Sequence, residues 1–304
     1  MPLTIKPSFS KRVIAAVCVF VSLASIPAFA ESHPVTMWQV EGQRNSIFLL
    51  GSIHLLREKD YPIPSVIYSA YDQAETLIME LDMDEMDPME TQAIVLELGM
   101  IRDGGTLEDA LGRSHYAKAA ALADDLEIPL AMLAGSKPWL AAVTIETMML
   151  TRIGFDPSRG IEMHLTSKAA NDRKNVLGLE TARQQIEMLN NLSAAAQREM
   201  LLQTLREGGQ IEALLDDVID AWREGDVDYM EETLLSDMAG HGELYSSIVV
   251  DRNNNWVRQI DALLDDDDDY LIVVGTMHLV GQDGVPELLR RRGMQIQQMQ
   301  HIAD

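Results

Sequence analysis

Two stretches near opposite ends of the 304-residue chain repeat one pattern, and that repetition restricts the fold more than any other feature. Residues 47–55 read Ile-Phe-Leu-Leu-Gly-Ser-Ile-His-Leu, and residues 271–279 read Leu-Ile-Val-Val-Gly-Thr-Met-His-Leu. In each, an apolar run of strand length stops at a glycine. A small hydroxyl residue, one apolar residue, a histidine and a leucine follow. A continuous apolar run bounded by turn residues suits a strand buried on both faces. Gly51 and Gly275 then permit a sharp exit or a close backbone approach. As parallel neighbours, the two strands would carry His54 and His278 into one crevice beyond their carboxyl ends, where open α/β sheets bind ligands.

The pattern between these strands fills in an α/β fold: a mixed central sheet built from the two ends of the chain, with a large helical insertion over about residues 85–264. Residues 35–40 and 46–50 read as a hairpin around the turn at 41–45. A helix over 62–71 leads to a third strand at 76–81, giving the strand, helix, strand order of a parallel crossover. Helical periodicity predicts segments near 85–98, 114–126, 137–151, 160–171, 194–207, 211–223, 227–238 and 241–264, with one short strand at 175–179. The chain then returns as a strand at 270–274, a helix at 285–292 and an edge strand at 295–299.

The first thirty residues read as a secretory signal peptide. Lys6, Lys11 and Arg12 precede the apolar stretch 13–23, and Ala28-Phe29-Ala30 supplies small residues for cleavage after Ala30. That apolar stretch is shorter than the roughly 20 residues that span a bilayer, so no stable membrane anchor is expected after cleavage. The expected location is periplasmic or secreted. The single cysteine, Cys18, leaves with the leader, so residues 31–304 must be held as one domain by their core alone. Losing Lys6, Lys11 and Arg12 leaves 21 basic residues of the original 24 against 48 acidic, taking the formal net charge from −24 to −27. Such acidity argues against nucleic acid and anionic membranes as partners.

Two further strands end in carboxylates, at Glu80 and Glu180. Four strand ends thus offer two imidazoles and two carboxylates to one place. That donor set suits a divalent cation such as Zn, Mn or Co, and a three-ligand site leaves a position for water. The metal lowers the pKa of that water, and a carboxylate left off the metal takes its proton. Arg252 and Asn253 precede the second histidine strand, and an arginine there can stabilise an oxyanion or bind a substrate carboxylate. His33, His115, His164, His241 and His301 lack a matching partner segment and read as surface or packing residues. With no cysteine after residue 30, thiol catalysis is excluded.

These residues resemble the TraB/GumN family. The resemblance rests on the two Gly-x-x-His segments, Glu80, Lys137-Pro138-Trp139, Gly160-Ile161-Glu162, Leu179-Glu180-Thr181 followed by Gln184 or Gln185, Arg252-Asn253 with Trp256, and residues 275–281. The family includes TIKI-type metalloproteases and is similar in fold to the erythromycin esterase and ChaN-like group. The resemblance implies Mn- or Co-dependent peptide cleavage with His54, His278 and Glu80 as metal ligands. The expectation is therefore an exported metal-dependent hydrolase acting on a peptide or small molecule, with Glu80, Glu180, Arg252 and Asn253 in the catalytic site. The alternative is a non-catalytic periplasmic protein that binds a small ligand or haem in the same cleft, or an accessory protein of the envelope.

Overall fold

The computed structural model describes residues 32–82, 86–239 and 242–302. The segment read as a signal peptide lies outside these residues, as does His241. The chain begins with β1 (Ser32–Glu41), β2 (Ser46–Ser52), α1 (Ser65–Gln73), β3 (Thr76–Leu81), α2 (Pro88–Gly99), α3 (Leu107–Leu111), α4 (Arg113–Asp125), α5 (Pro138–Arg152) and α6 (Ile161–Asp172). It continues through β4 (Asn175–Glu180), α7 (Ala182–Asn190), α8 (Ala194–Glu207), α9 (Ile211–Glu224), α10 (Val227–Ala239) and α11 (Gly242–Tyr245). After α12 (Asp251–Leu263) come β5 (Tyr270–Gly275), α13 (Val285–Arg291) and β6 (Ile296–Ile302).

Among the described residues the strands form one six-stranded sheet in the order β4-β3-β5-β2-β1-β6. The two repeated segments are parallel neighbours, with Ile47 opposite Tyr270 and Ser52 opposite Gly275. β3 pairs in parallel with β5 on its other side and with β4 beyond. β1 turns back on β2 as the expected hairpin, and β6 pairs with β1, so both ends of the chain meet in one sheet. Every residue of β5 is buried, as is β2 after Ser46, which explains their uninterrupted apolar composition.

A large core packs on this sheet and includes Met37, Leu49, Leu77, Ile272, Trp222 and Trp256. A second cluster lies within the helical insertion, where Leu107, Ala119, Ile145 and Leu201 bring α3, α4, α5 and α8 together. Helix starts are set locally. Pro138 occupies the first turn of α5, where its missing N–H is not needed, and Asp87 caps α2 by accepting from the Met89 N–H.

The structure departs from the sequence pattern in three places. α3 and α7 are helices where none was expected. The long helical stretch 241–264 is also not continuous: a π-helical turn at Ser246–Val250 separates α11 from α12. From within that turn onward, Val249, Arg252, Asn253, Trp256, Val257 and Ile260 are the buried residues. Two polar side chains among them are costly unless paired. Their partners form the site.

Candidate functional site

The parallel register sets the site level. Ser52 and Gly275 lie side by side where β2 and β5 end, and Glu80 sits one residue beyond the Met79–Val273 pair. Glu80 is buried; its Oε1 accepts from the Gly275 N–H at 2.7 Å. The Gly275 backbone runs between this carboxylate and the first histidine. A Cβ at Gly275 would come 3.1 Å from His54 Nε2 and 3.3 Å from Glu80 Oε1. A side chain here would have to push one of these two groups aside by a few tenths of an ångström, so glycine is favoured by space rather than by its backbone angles, which suit any residue.

His54 stands at the mouth of a cleft of about 330 Å³ lined by Met79, Glu80, Pro157, Glu162, Met163 and Gln185. Its imidazole is 58% exposed. Nδ1 lies 2.6 Å from Glu162 Oε1, which also accepts from the Ser52 hydroxyl. Glu162 is held against the strand end because Gly160 packs on the His54 carbonyl and the Ile161 N–H donates to Ile53 O at 3.1 Å. The Glu162 charge, with the hydrogen bond to Glu162, drives the His54 pKa up to about 10. Burial would raise the Glu162 carboxyl, yet His54 and Ser52 hold it below its ordinary value. Glu162 Oε2 is buried and has no hydrogen-bond partner.

Arg252 joins the remaining groups. Its Nη2 donates to Glu80 Oε2 at 2.5 Å, its Nε donates to Glu180 Oε2 at 3.0 Å and Oε1 at 3.2 Å, and its Nη1 lies 3.0 Å from His278 Nε2. A guanidinium can only donate, so His278 Nε2 is an acceptor and the ring carries its proton on Nδ1. That N–H reaches Asn253 Oδ1 at 2.7 Å, while Asn253 Nδ2 donates to the carbonyls of His278 and Asp283. His278 is therefore neutral. Burial, helped by the Arg252 charge, holds it down to about 3. Trp256 packs on both groups, 4.5 Å from the His278 ring and 4.6 Å from the guanidinium, and donates to Glu180 Oε1.

Burial alone would raise Glu80. The charges of His278, Arg252 and His54, with the Gly275 N–H, outweigh it and hold the carboxyl down to about 2. We assign most of that effect to Arg252, since His278 is neutral near pH 7.

The structure thus gathers all six residues singled out from the sequence: His54, Glu80, Glu180, Arg252, Asn253 and His278. It adds Ser52, Glu162 and Gln185, whose Nε2 donates to Glu80 Oε2 at 3.1 Å. Glu162 stands in the sequence only within the Gly160-Ile161-Glu162 motif of the family resemblance, with no site role expected of it, and its partnership with a histidine 108 positions away has no signal in the spacing. Among the described residues, no group of three or more His, Cys, Asp or Glu side chains stands ready to hold a metal ion. The local reason is Arg252, which occupies His278 Nε2 and Glu80 Oε2. No helix among them is long and apolar enough to cross a membrane.

The TraB/PrgY/gumN family model matches residues 36–298, from β1 into β6. The chain belongs to the TraB/PrgY/gumN family. It is 24% identical to the uncharacterized protein YbaP of Shigella flexneri over 249 residues, covering 82% of this chain and 89% of that one. Its identity to YbaP of Escherichia coli strain K12 is also 24%, covering 80% and 87%. An uncharacterized protein of Treponema pallidum is 23% identical over 90% of this chain and 86% of its own length. No solved structure matches significantly.

Proposed function

We propose that the chain is an exported metal-dependent hydrolase, most plainly a peptidase, working in the cleft between His54 and Glu80. The observation that carries this reading is a shortage of positive charge. Glu80 and Glu180 share one guanidinium, Glu162 pairs with His54, and His278 is held neutral, so three carboxylates meet two cations. Glu162 Oε2 is left buried without a partner. A cation suits that balance, and imidazole with carboxylate suits Mn, Co or Zn.

His54 Nε2, Glu80 and His278 Nε2 would hold the ion; the last requires the Arg252–His278 bond to open. When bound, such an ion lowers the pKa of water toward neutrality and polarises a carbonyl. The chain's own residues do the positioning. Glu162 fixes His54 through Nδ1 and Asn253 fixes His278 through Nδ1, the usual way a protein aims the other ring nitrogen. Glu180 grips Arg252 through Nε and both carboxylate oxygens, so the guanidinium would stay anchored while its Nη groups leave Glu80 and His278 to meet an oxyanion. The leader-like residues 1–30 support export.

The test is metal analysis of the purified protein, then digestion of a broad peptide library with Mn, Co and Zn added in turn. His54→Ala and His278→Ala should each lose bound metal and cleavage. Unchanged metal content and cleavage in both variants would refute the proposal.

A further inference from the structure

Beside Arg252 lies a trough of about 450 Å³, and Gln185 lines both this trough and the cleft of His54. Four carboxamides wall this trough: Gln184, Gln185, Asn255 and Gln259. A carboxamide can present either a donor or an acceptor, but here the other partners decide which. Gln184 Oε1 accepts from the Thr181 N–H at 2.8 Å and from its hydroxyl at 3.2 Å, closing the capping box of α7. Its two N–H donors remain. Gln185 Nε2 is bound to Glu80, so its Oε1 remains as an acceptor. Likewise Asn255 Oδ1 takes a bond from Arg258, leaving donors, and Gln259 Nε2 donates to Leu179 O at 3.3 Å, leaving an acceptor.

The trough therefore offers donors from Gln184 and Asn255 and acceptors from Gln185 and Gln259, with Leu179 and Met188 as apolar floor. An extended peptide backbone offers the complementary set, carbonyls and N–H groups in alternation along one line. We propose that Gln184 and Gln185 are backbone-reading residues for a peptide substrate. Gln184 Nε2 donates to a substrate carbonyl, and Gln185 Oε1 accepts from a substrate N–H next to the cleft that holds His54 and Glu80. The inference rests on reading that cleft as the substrate site. It assigns peptide recognition to two residues that touch neither histidine.

The test uses the intact protein without added metal, so that binding is read apart from turnover. The probes are N-acetyl-tetraalanine amide and four depsipeptides, each with a different one of its N–H groups replaced by an ester oxygen, titrated by calorimetry or NMR. The peptide should bind about tenfold more tightly than at least one depsipeptide, the loss of one hydrogen bond to a fixed acceptor. Gln185→Met should abolish that difference while retaining depsipeptide binding. Gln184→Glu keeps the cap acceptor of α7 and puts a charged carboxylate oxygen in place of the donors, so it should weaken all the probes alike. Equal affinity for the peptide and every depsipeptide, a difference that survives in Gln185→Met, or no peptide binding would each overturn the proposal. Library cleavage without this discrimination would remove the subsite and leave the hydrolase. Discrimination without cleavage would do the reverse.

Discussion

Replacing Arg252 by methionine gives the sharpest test of how the site is held together. Methionine fills a similar space against Trp256 but strands two carboxylates. Glu80 and Glu180 lose bonds of 2.5 and 3.0 Å, and His278 loses the donor on Nε2. Removing one partner of a buried ion pair costs about 3–5 kcal/mol when nothing else satisfies the remaining charge. Here Glu80 keeps the Gly275 N–H and Gln185, Glu180 keeps the Trp256 indole, and the Arg252 and Glu80 side chains are each 11% exposed. The expected loss is therefore at the lower end, about 3 kcal/mol. Urea denaturation at pH 7 should show it as a lower midpoint with an unchanged slope. The cause is charge rather than shape, so adding Glu80→Gln to Arg252→Met should restore about half of the loss. A loss under about 1 kcal/mol, or a double variant weaker than Arg252→Met alone, would sink this account.

Stability should fall with acid in a way that belongs to His278. It titrates near 6.5 when unfolded but is held down to about 3 when folded, so its contribution is complete above 6.5 and is lost as pH falls toward 3, at about 1.4 kcal/mol per pH unit. Glu80, held down to about 2, adds a second loss below 4.5. His278→Gln should flatten the limb between 6.5 and 4.5 in urea titrations; an undiminished slope would remove His278 as its source. On the alkaline side, His54 is raised to about 10, so its contribution is complete below 6.5 and is lost as pH climbs through 10. Glu162→Gln should abolish that alkaline limb and lower library cleavage about 10–100-fold through loss of the orienting partner; wild-type values of both would contradict the pairing. Gly160→Ala should cost about 1–3 kcal/mol, because its Cβ would lie 2.0 Å from the His54 carbonyl oxygen. A thermal melt unchanged from wild type would show that this approach is not as close as described.

Much of this architecture is legible in the residues because the relevant forces are local or periodic. The strands around Leu49, Met79 and Ile272 are buried on both faces, so their composition announces them, and glycine marks where each histidine strand ends. α3 and α7 escaped for a specific reason. α3 is little more than one turn long and α7 contains no fully buried residue, so a capping box, Thr106 with Asp109 and Thr181 with Gln184, is the main mark of each start. The break at residues 246–250 leaves no comparable mark, since a π turn changes hydrogen-bond partners without requiring a breaker residue. Within the site, the two histidines and Glu80 and Glu180 could be found because strand ends are readable. Glu162 could not, because its role depends on where α6 docks. Nor could the tautomer of His278, which follows only from seeing a guanidinium on its other nitrogen.

The position of β5 carries a consequence for how the protein comes into being. This strand lies between β3 and β2 in the middle of the sheet, yet it is among the last to be synthesised, at residues 270–275 of 304. Until those residues emerge, β2 and β3 have no common neighbour, Gly275 cannot meet Glu80, and His278 does not exist to be aligned. The chain therefore cannot assemble its cleft piecemeal during translation. A product ending before residue 270 would carry His54, Glu80 and Arg252 without the strand that joins β2 to β3.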